Sequence, residues 1–130
     1  MGAEPVNFDV GVKIVPNECL DAVAGEAVRR GCAVYVVPRA EGVGRHEFFR
    51  AVDRVIRLVP PIVGGRSWDA FADSLWEGIT LLEHERIVII WPDSSAVGDE
   101  RDLALAILDD VARAVGDGKR VSVFVSTGNA

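Results

Sequence analysis

Apolar and polar residues alternate near the start of the chain, with Phe8, Val10, Val12 and Ile14 separated by Asp9, Gly11 and Lys13. That period of two predicts a strand with one wetter face. The spacing then changes to that of a helix over residues 17–30. Asn17 is placed to cap it, Leu20, Val23, Ala24, Ala27 and Val28 line one side, and Gly31 closes it. Residues 33–37 are a continuous, β-branched apolar run, as in a strand buried on both faces of a parallel sheet. A loop with two glycines and a proline follows at 38–45. Residues 46–58 then return to helical spacing, with Phe48, Phe49, Val52, Val55 and Ile56 inward.

The turn at Pro60 and Pro61 leads to a third helix, whose start is marked by Ser67. A serine hydroxyl can accept a bond from an otherwise unpaired N–H of the first turn, so the helix is expected to begin near Trp68. Trp68, Phe71, Leu75 and Ile79 recur at helical spacing and are expected to face inward. Residues 86–91, R-I-V-I-I-W, form the most hydrophobic strand, and 99–115 a helix with Leu103, Ile107, Leu108 and Val111 inward. A last strand is expected at 121–125. The order β-α-β-α-α-β-α-β predicts an α/β fold, a small parallel sheet covered by about four helices.

The helix after Ser67 has a second feature. Asp69, Asp73 and Glu77 stand at i, i+4 and i+8, and no Lys or Arg lies between Ser67 and Glu85. Like charges at this spacing destabilise a helix by a few tenths of a kcal/mol per pair. Solvation is the plain explanation of a charge run, and Asp69 also suits the helix dipole. Recognition of a basic partner is the sharper one. Trp76, a turn from Asp73 at the edge of the stripe, is either a cover for a neighbouring helix or an interface anchor.

The chain has 130 residues, one domain's length, and is long enough to bury about two thirds of its unfolded surface. Its net charge is -6, and the excess is confined to one part. Residues 1–59 hold eight acids and eight bases, residues 60–130 twelve acids and six bases. Clustered Lys and Arg, which phosphate backbones require, are missing, so nucleic acid is not an expected partner; a basic protein surface is. No apolar run approaches the roughly 18 residues of a membrane span, and the first residues lack the pattern of a signal peptide. A soluble, cytoplasmic location is the expectation.

Catalytic and metal chemistry find little support. Gly42, Gly44, Gly64 and Gly65 complete neither a dinucleotide nor a Walker pattern, and Gly116-Asp117-Gly118-Lys119 follows a helix where a Walker loop precedes one. Asp69 and Asp73 could hold Mg²⁺, but two acids a turn apart without a base or a phosphate-binding cation make a poor active site. His46 and His84 have no Ser or Cys partner in view, and Cys19 and Cys32 have no metal or redox spacing. Both cysteines are expected to be small apolar fillers. No cofactor, metal or catalytic residue is assigned.

The segment around the stripe resembles the barstar family, inhibitors of barnase-type ribonucleases. Members carry a proline, two aromatics and a glycine before an Asn-capped helix of the form (Leu/Trp)-Asp-Ala-Leu with a second Asp and a Leu further on. Here Pro61, Gly65, Trp68, Asp69, Ala70, Asp73 and Leu75 fall on matching positions without a gap, and Phe71 replaces Leu. The strands at 86–91 and 121–125 and the helix between them follow in the family's order, so the resemblance spans roughly residues 33–125. It implies three barstar-like strands, with residues 1–32 as an N-terminal strand-helix addition that extends the sheet of a single domain. It also implies a monomeric, non-enzymatic protein that forms a 1:1 complex with a basic ribonuclease.

By that resemblance Asp73 is the central phosphate mimic, Asp69 a second contact and Glu77 a peripheral steering charge. Gly65 lets the loop backbone come close, and Arg66, Ser67 and Trp76 line the rim. Val63 and Gly64 stand where two aromatics are usual, Ser67 replaces Asn, and Arg113 stands where the founding member has a contacting acid. The natural target is therefore expected to offer an acid or a gap opposite Arg113. An immunity protein against a different toxin nuclease, a non-inhibitory interaction module and a small α/β enzyme are the alternatives.

Overall fold

Four parallel strands form the sheet: β1 (Gly11–Ile14), β2 (Ala33–Val36), β3 (Arg86–Trp91) and β4 (Arg120–Val125), in the order β1-β4-β3-β2. The computed structural model describes residues 6–62, 67–116 and 118–127. Four α-helices connect and cover the strands: α1 (Leu20–Arg29), α2 (Arg45–Asp53), α3 (Trp68–Thr80) and α4 (Arg101–Ala114). The protein is thus α/β with a parallel sheet, and the N-terminal strand extends it on the β4 side.

Period-two alternation in the central strands divides the core between two faces. Ile87, Ile89 and Trp91 of β3, with Val121, Val123 and Val125 of β4, pack against α2, α3 and α4. Val88, Ile90 and Phe124 point the other way and meet Leu20, Val23 and Ala27 of α1. A strand covered on both sides is largely apolar, which is why β3 reads as a continuous hydrophobic run after Arg86 and β4, after Arg120, is interrupted only by Ser122, whose hydroxyl is hydrogen-bonded. Arg45 donates twice to Glu100, at 3.1 and 2.7 Å, and ties the start of α2 to the start of α4. Among the described residues no helix is long and apolar enough to cross a membrane.

Several sequence expectations need correction. Asn17 caps no α-helix: residues Asn17–Cys19 form a 3-10 turn, and α1 begins at Leu20 without a side-chain cap. Val28 is 65% exposed, because a single helix lying on its own face of the sheet buries one ridge and not a broad stripe. Leu103 is 45% exposed. Leu108 and Val111 are buried as expected and Ile107 packs partly buried on the core, but Ala104 and Ala112 take the place of Leu103 in the buried face of α4. Ile14 is exposed at the end of an edge strand. Cys19 is exposed and therefore fills no core, whereas Cys32 is partly buried against the α1 face. The helix expected to reach Leu58 stops at Asp53, whose carboxylate accepts the Leu58 N–H at 2.9 Å.

Candidate partner-binding site

Helix α3 begins where the local chemistry requires. Ser67 is extended, at φ -87° and ψ 167°, and its Oγ accepts the Ala70 N–H at 3.2 Å. Trp68, Phe71, Leu75 and Ile79 are buried as their spacing predicted. Asp69 and Asp73 are exposed on the opposite side and Glu77 is partly exposed. Two turns of helix put about 12 Å between the first and last of these carboxylates. None of the three makes an ion pair among the described residues. Trp76, at 40% exposure, lies beside them.

An aromatic cluster holds the helix from beneath. The Phe71 ring stacks on Phe49 at 4.5 Å, and Phe48 lies 5.4 Å from Phe71, 5.9 Å from Trp68 and 4.3 Å from Trp91. Rings interlocked at these separations add packing energy beyond the area they bury and leave the helix little freedom to rotate. Carboxylates on its outer face are consequently presented in a fixed row.

Two small residues on the inner face fix the turn that leads into the helix. The Ser74 hydroxyl donates to the Pro60 carbonyl at 2.8 Å, and the Ser74 carbonyl accepts the Val59 N–H at 3.2 Å. The Val59–Pro60 peptide is cis. One turn further on, Gly78 lies so close to residue 57 that a Cβ would stand 2.2 Å from the Arg57 carbonyl oxygen. Sequence reasoning missed both contacts, although small residues at i and i+4 on an otherwise bulky helix face are the available signal of close backbone approach. Val63, Gly64, Gly65 and Arg66 lie outside the described residues. The fixed turn ends just before them, and the capped Ser67 follows.

The family model described as Barstar (barnase inhibitor) matches residues 40–126, two thirds of the chain. The chain belongs to the barstar family. No curated protein and no solved structure matches it. The barstar match includes α2, α3, β3, α4 and β4 and leaves β1, α1 and β2 outside, so it starts after the strand at which the sequence resemblance began.

Within the barstar-family segment, Arg113 is not grouped with the acidic row. It lies on α4 against β1, where its Nε donates to Asp109 Oδ2 at 2.9 Å. The other carboxylate oxygen, Asp109 Oδ1, accepts the Val12 N–H at 2.9 Å. That backbone bond, and then Arg113, hold the Asp109 carboxyl below the usual carboxylate range against an opposing desolvation cost. Gly11 admits the pair: at φ 113° it accepts a conformation other residues avoid, and a Cβ there would meet Asp109 Oδ1 at 2.6 Å. Ser67, Asp69, Asp73, Trp76 and Glu77 are therefore together on α3 and its cap, while Arg113 belongs to a clamp between α4 and β1. Among the described residues no three His, Cys, Asp or Glu side chains converge as a metal site.

Proposed function

We propose that this barstar-family protein inhibits a basic, barnase-type ribonuclease inside the cell, laying α3 and the loop before it into the nuclease's active-site cleft in a 1:1 complex. The observation that supports this most strongly is the row formed by Asp69 and Asp73, exposed and without an ion pair among the described residues, on a helix whose other face is locked into an aromatic core. A ribonuclease cleft is a preformed set of cations that binds RNA phosphates. A rigid row of carboxylates complements it without offering a bond to cleave, and preorganisation spares the cost of ordering the helix on binding.

In this reading Asp73 replaces the central phosphate and Asp69 meets a nuclease arginine. Glu77, less exposed than either, acts mainly through steering. Trp76 covers the rim, where a half-exposed aromatic excludes water from the charged contacts. Val63, Gly65 and Arg66 contribute through the loop, and Ser67 through the one face of its hydroxyl that the cap leaves open. Arg113 sets specificity: a target with an acid or a gap opposite α4 accepts it, and one with a cation there is disfavoured. This supports an immunity role against a nuclease other than barnase itself.

The test is inhibition of a panel of purified barnase-type ribonucleases, with RNA cleavage as the readout. Stoichiometric inhibition of at least one basic member is expected. A panel left fully active, with no complex detected by size exclusion, contradicts the proposal.

A further inference from the structure

At the end of the sheet remote from the start of α3, and on its α1 face, lies an open cavity of about 340 Å³. Helix α3 runs back along the sheet into β3, so its capped end lies near the C-terminal ends of the strands, whereas the cavity opens where β3 and β4 begin. Phe8, Arg30 and Cys32, which precede the barstar match, form one wall, and Arg86, Val88 and Arg120 form the other.

The charge of this cavity runs against that of the protein. Arg86 and Arg120 are directly paired in the parallel register of β3 and β4, so their side chains leave the sheet on the same face. Like charges directly opposite each other on neighbouring strands are destabilising. Neither makes an ion pair among the described residues. Arg86 has one long bond, from Nη1 to the Arg30 carbonyl at 3.4 Å. Arg30 is steered by Glu26, which accepts its Nε at 2.9 Å, and its guanidinium lies 4.9 Å from the centre of the Phe8 ring. Among the described residues Asp9 is the one acid of the lining.

The walls are fixed. The buried Ser122 hydroxyl lies 2.7 Å from the Phe8 carbonyl and 2.8 Å from that of Asp9, holding the N-terminal segment over the strands. Phe8 is set edge-on against Phe124 at 5.5 Å.

We infer that this cavity binds a small phosphate monoester. Two neighbouring guanidiniums offer the planar donor forks that phosphate oxygens accept in pairs. The dianion relieves the repulsion between Arg86 and Arg120, and the partly exposed Phe8 ring receives the organic part. A cavity of this size has room for a sugar or nucleoside beside the phosphate. The site is independent of the nuclease-binding surface on α3.

The experiment is an amide chemical-shift titration of the full chain with 5′-adenosine monophosphate, ribose 5-phosphate, inorganic phosphate and adenosine. Saturable shifts are expected at Phe8, Cys32, Val88 and Ser122 with the two monoesters, weaker ones with inorganic phosphate and none with adenosine. Added salt should weaken binding. Arg86→Gln and Arg120→Gln should each reduce affinity on the order of tenfold, Arg120→Lys less, with a melting temperature equal to or slightly above that of the parent as the repulsion falls and unchanged nuclease inhibition. Silence at those amides with every phosphate overturns the inference, as does equal binding of adenosine or undiminished binding by the Arg86→Gln, Arg120→Gln double variant.

Discussion

Gly78→Ala should destabilise this protein although alanine is the better helix former. Position 78 is inside α3, where the exchange ordinarily gains about 1 kcal/mol. Here the new Cβ would stand 2.2 Å from the Arg57 carbonyl oxygen and 3.3 Å from its carbon. Ordinary carbon contacts lie at about 3.5 Å or more, so the backbone at 57 or the helix must shift by roughly 1 Å. Overpacking of this kind costs about 1–3 kcal/mol. The shift also strains the two hydrogen bonds between Ser74 and the 59–60 turn, at 2.8 and 3.2 Å, worth about 1 kcal/mol each. After the gain in propensity is subtracted, a net loss of about 2–4 kcal/mol remains, or on the order of 10 °C in melting temperature. Gly25→Ala is the control, since a Cβ there meets only the tip of Arg29 at 3.9 Å. It should be neutral or stabilising by up to about 1 kcal/mol. Urea melts of the three proteins, with m-values compared to verify two-state unfolding, read both effects. A Gly78→Ala protein as stable as the parent would refute the close approach of α3 to residue 57, and with it the account of how the turn at Val59 and Pro60 is held.

Acid should loosen the hold of α4 on β1. Asp109 titrates below its usual range in the fold, so it contributes stability that is fully present above its unfolded pKa, near pH 4, and is lost as pH falls through the lower folded value. Asp109→Asn should flatten the stability curve in that acid window, and an unchanged curve would contradict the clamp. Arg113→Glu should cost stability by placing a second carboxylate beside Asp109, whereas Arg113→Gln should cost less; equal melting temperatures for the two would oppose this. Iodoacetamide should modify Cys19 quickly and Cys32 slowly, and the Cys19→Ala, Cys32→Ala protein should bind its partner normally; reductant-dependent inhibition would count against structural roles.

What could be read from sequence follows the range of the forces involved. The Ser67 cap and the inward row Trp68, Phe71, Leu75 and Ile79 depend on neighbours within one helix, and both were legible. The exposure of Val28 and Leu103 depends on which neighbours cover α1 and α4, which periodicity does not record. Ser74 and Gly78 owe their roles to a backbone segment more than a dozen residues away. The pair formed by Asp109 and Arg113 is an i, i+4 pair and was readable as such. Its link to the Val12 N–H was not, because it needs the sheet order. Likewise Arg86 and Arg120 become neighbours only through the register of β3 and β4.

The central claim is that the carboxylate row of α3 occupies a ribonuclease cleft, with Asp73 at its centre. The most direct measurement is the inhibition constant of the wild-type protein, Asp73→Ala and Glu77→Ala against the cognate ribonuclease, with association rates taken at low and physiological salt. Asp73→Ala should weaken inhibition by at least about 2 kcal/mol, roughly thirtyfold, a magnitude taken from charge-pair truncations at interfaces of this same family and not from this chain's geometry. Its melting temperature should be unchanged or slightly raised as repulsion along the stripe falls. Glu77→Ala should act within a few-fold and mainly on the association rate, which should drop with salt for the wild-type protein. Equal inhibition by the two variants, or an association rate indifferent to salt, would contradict the account.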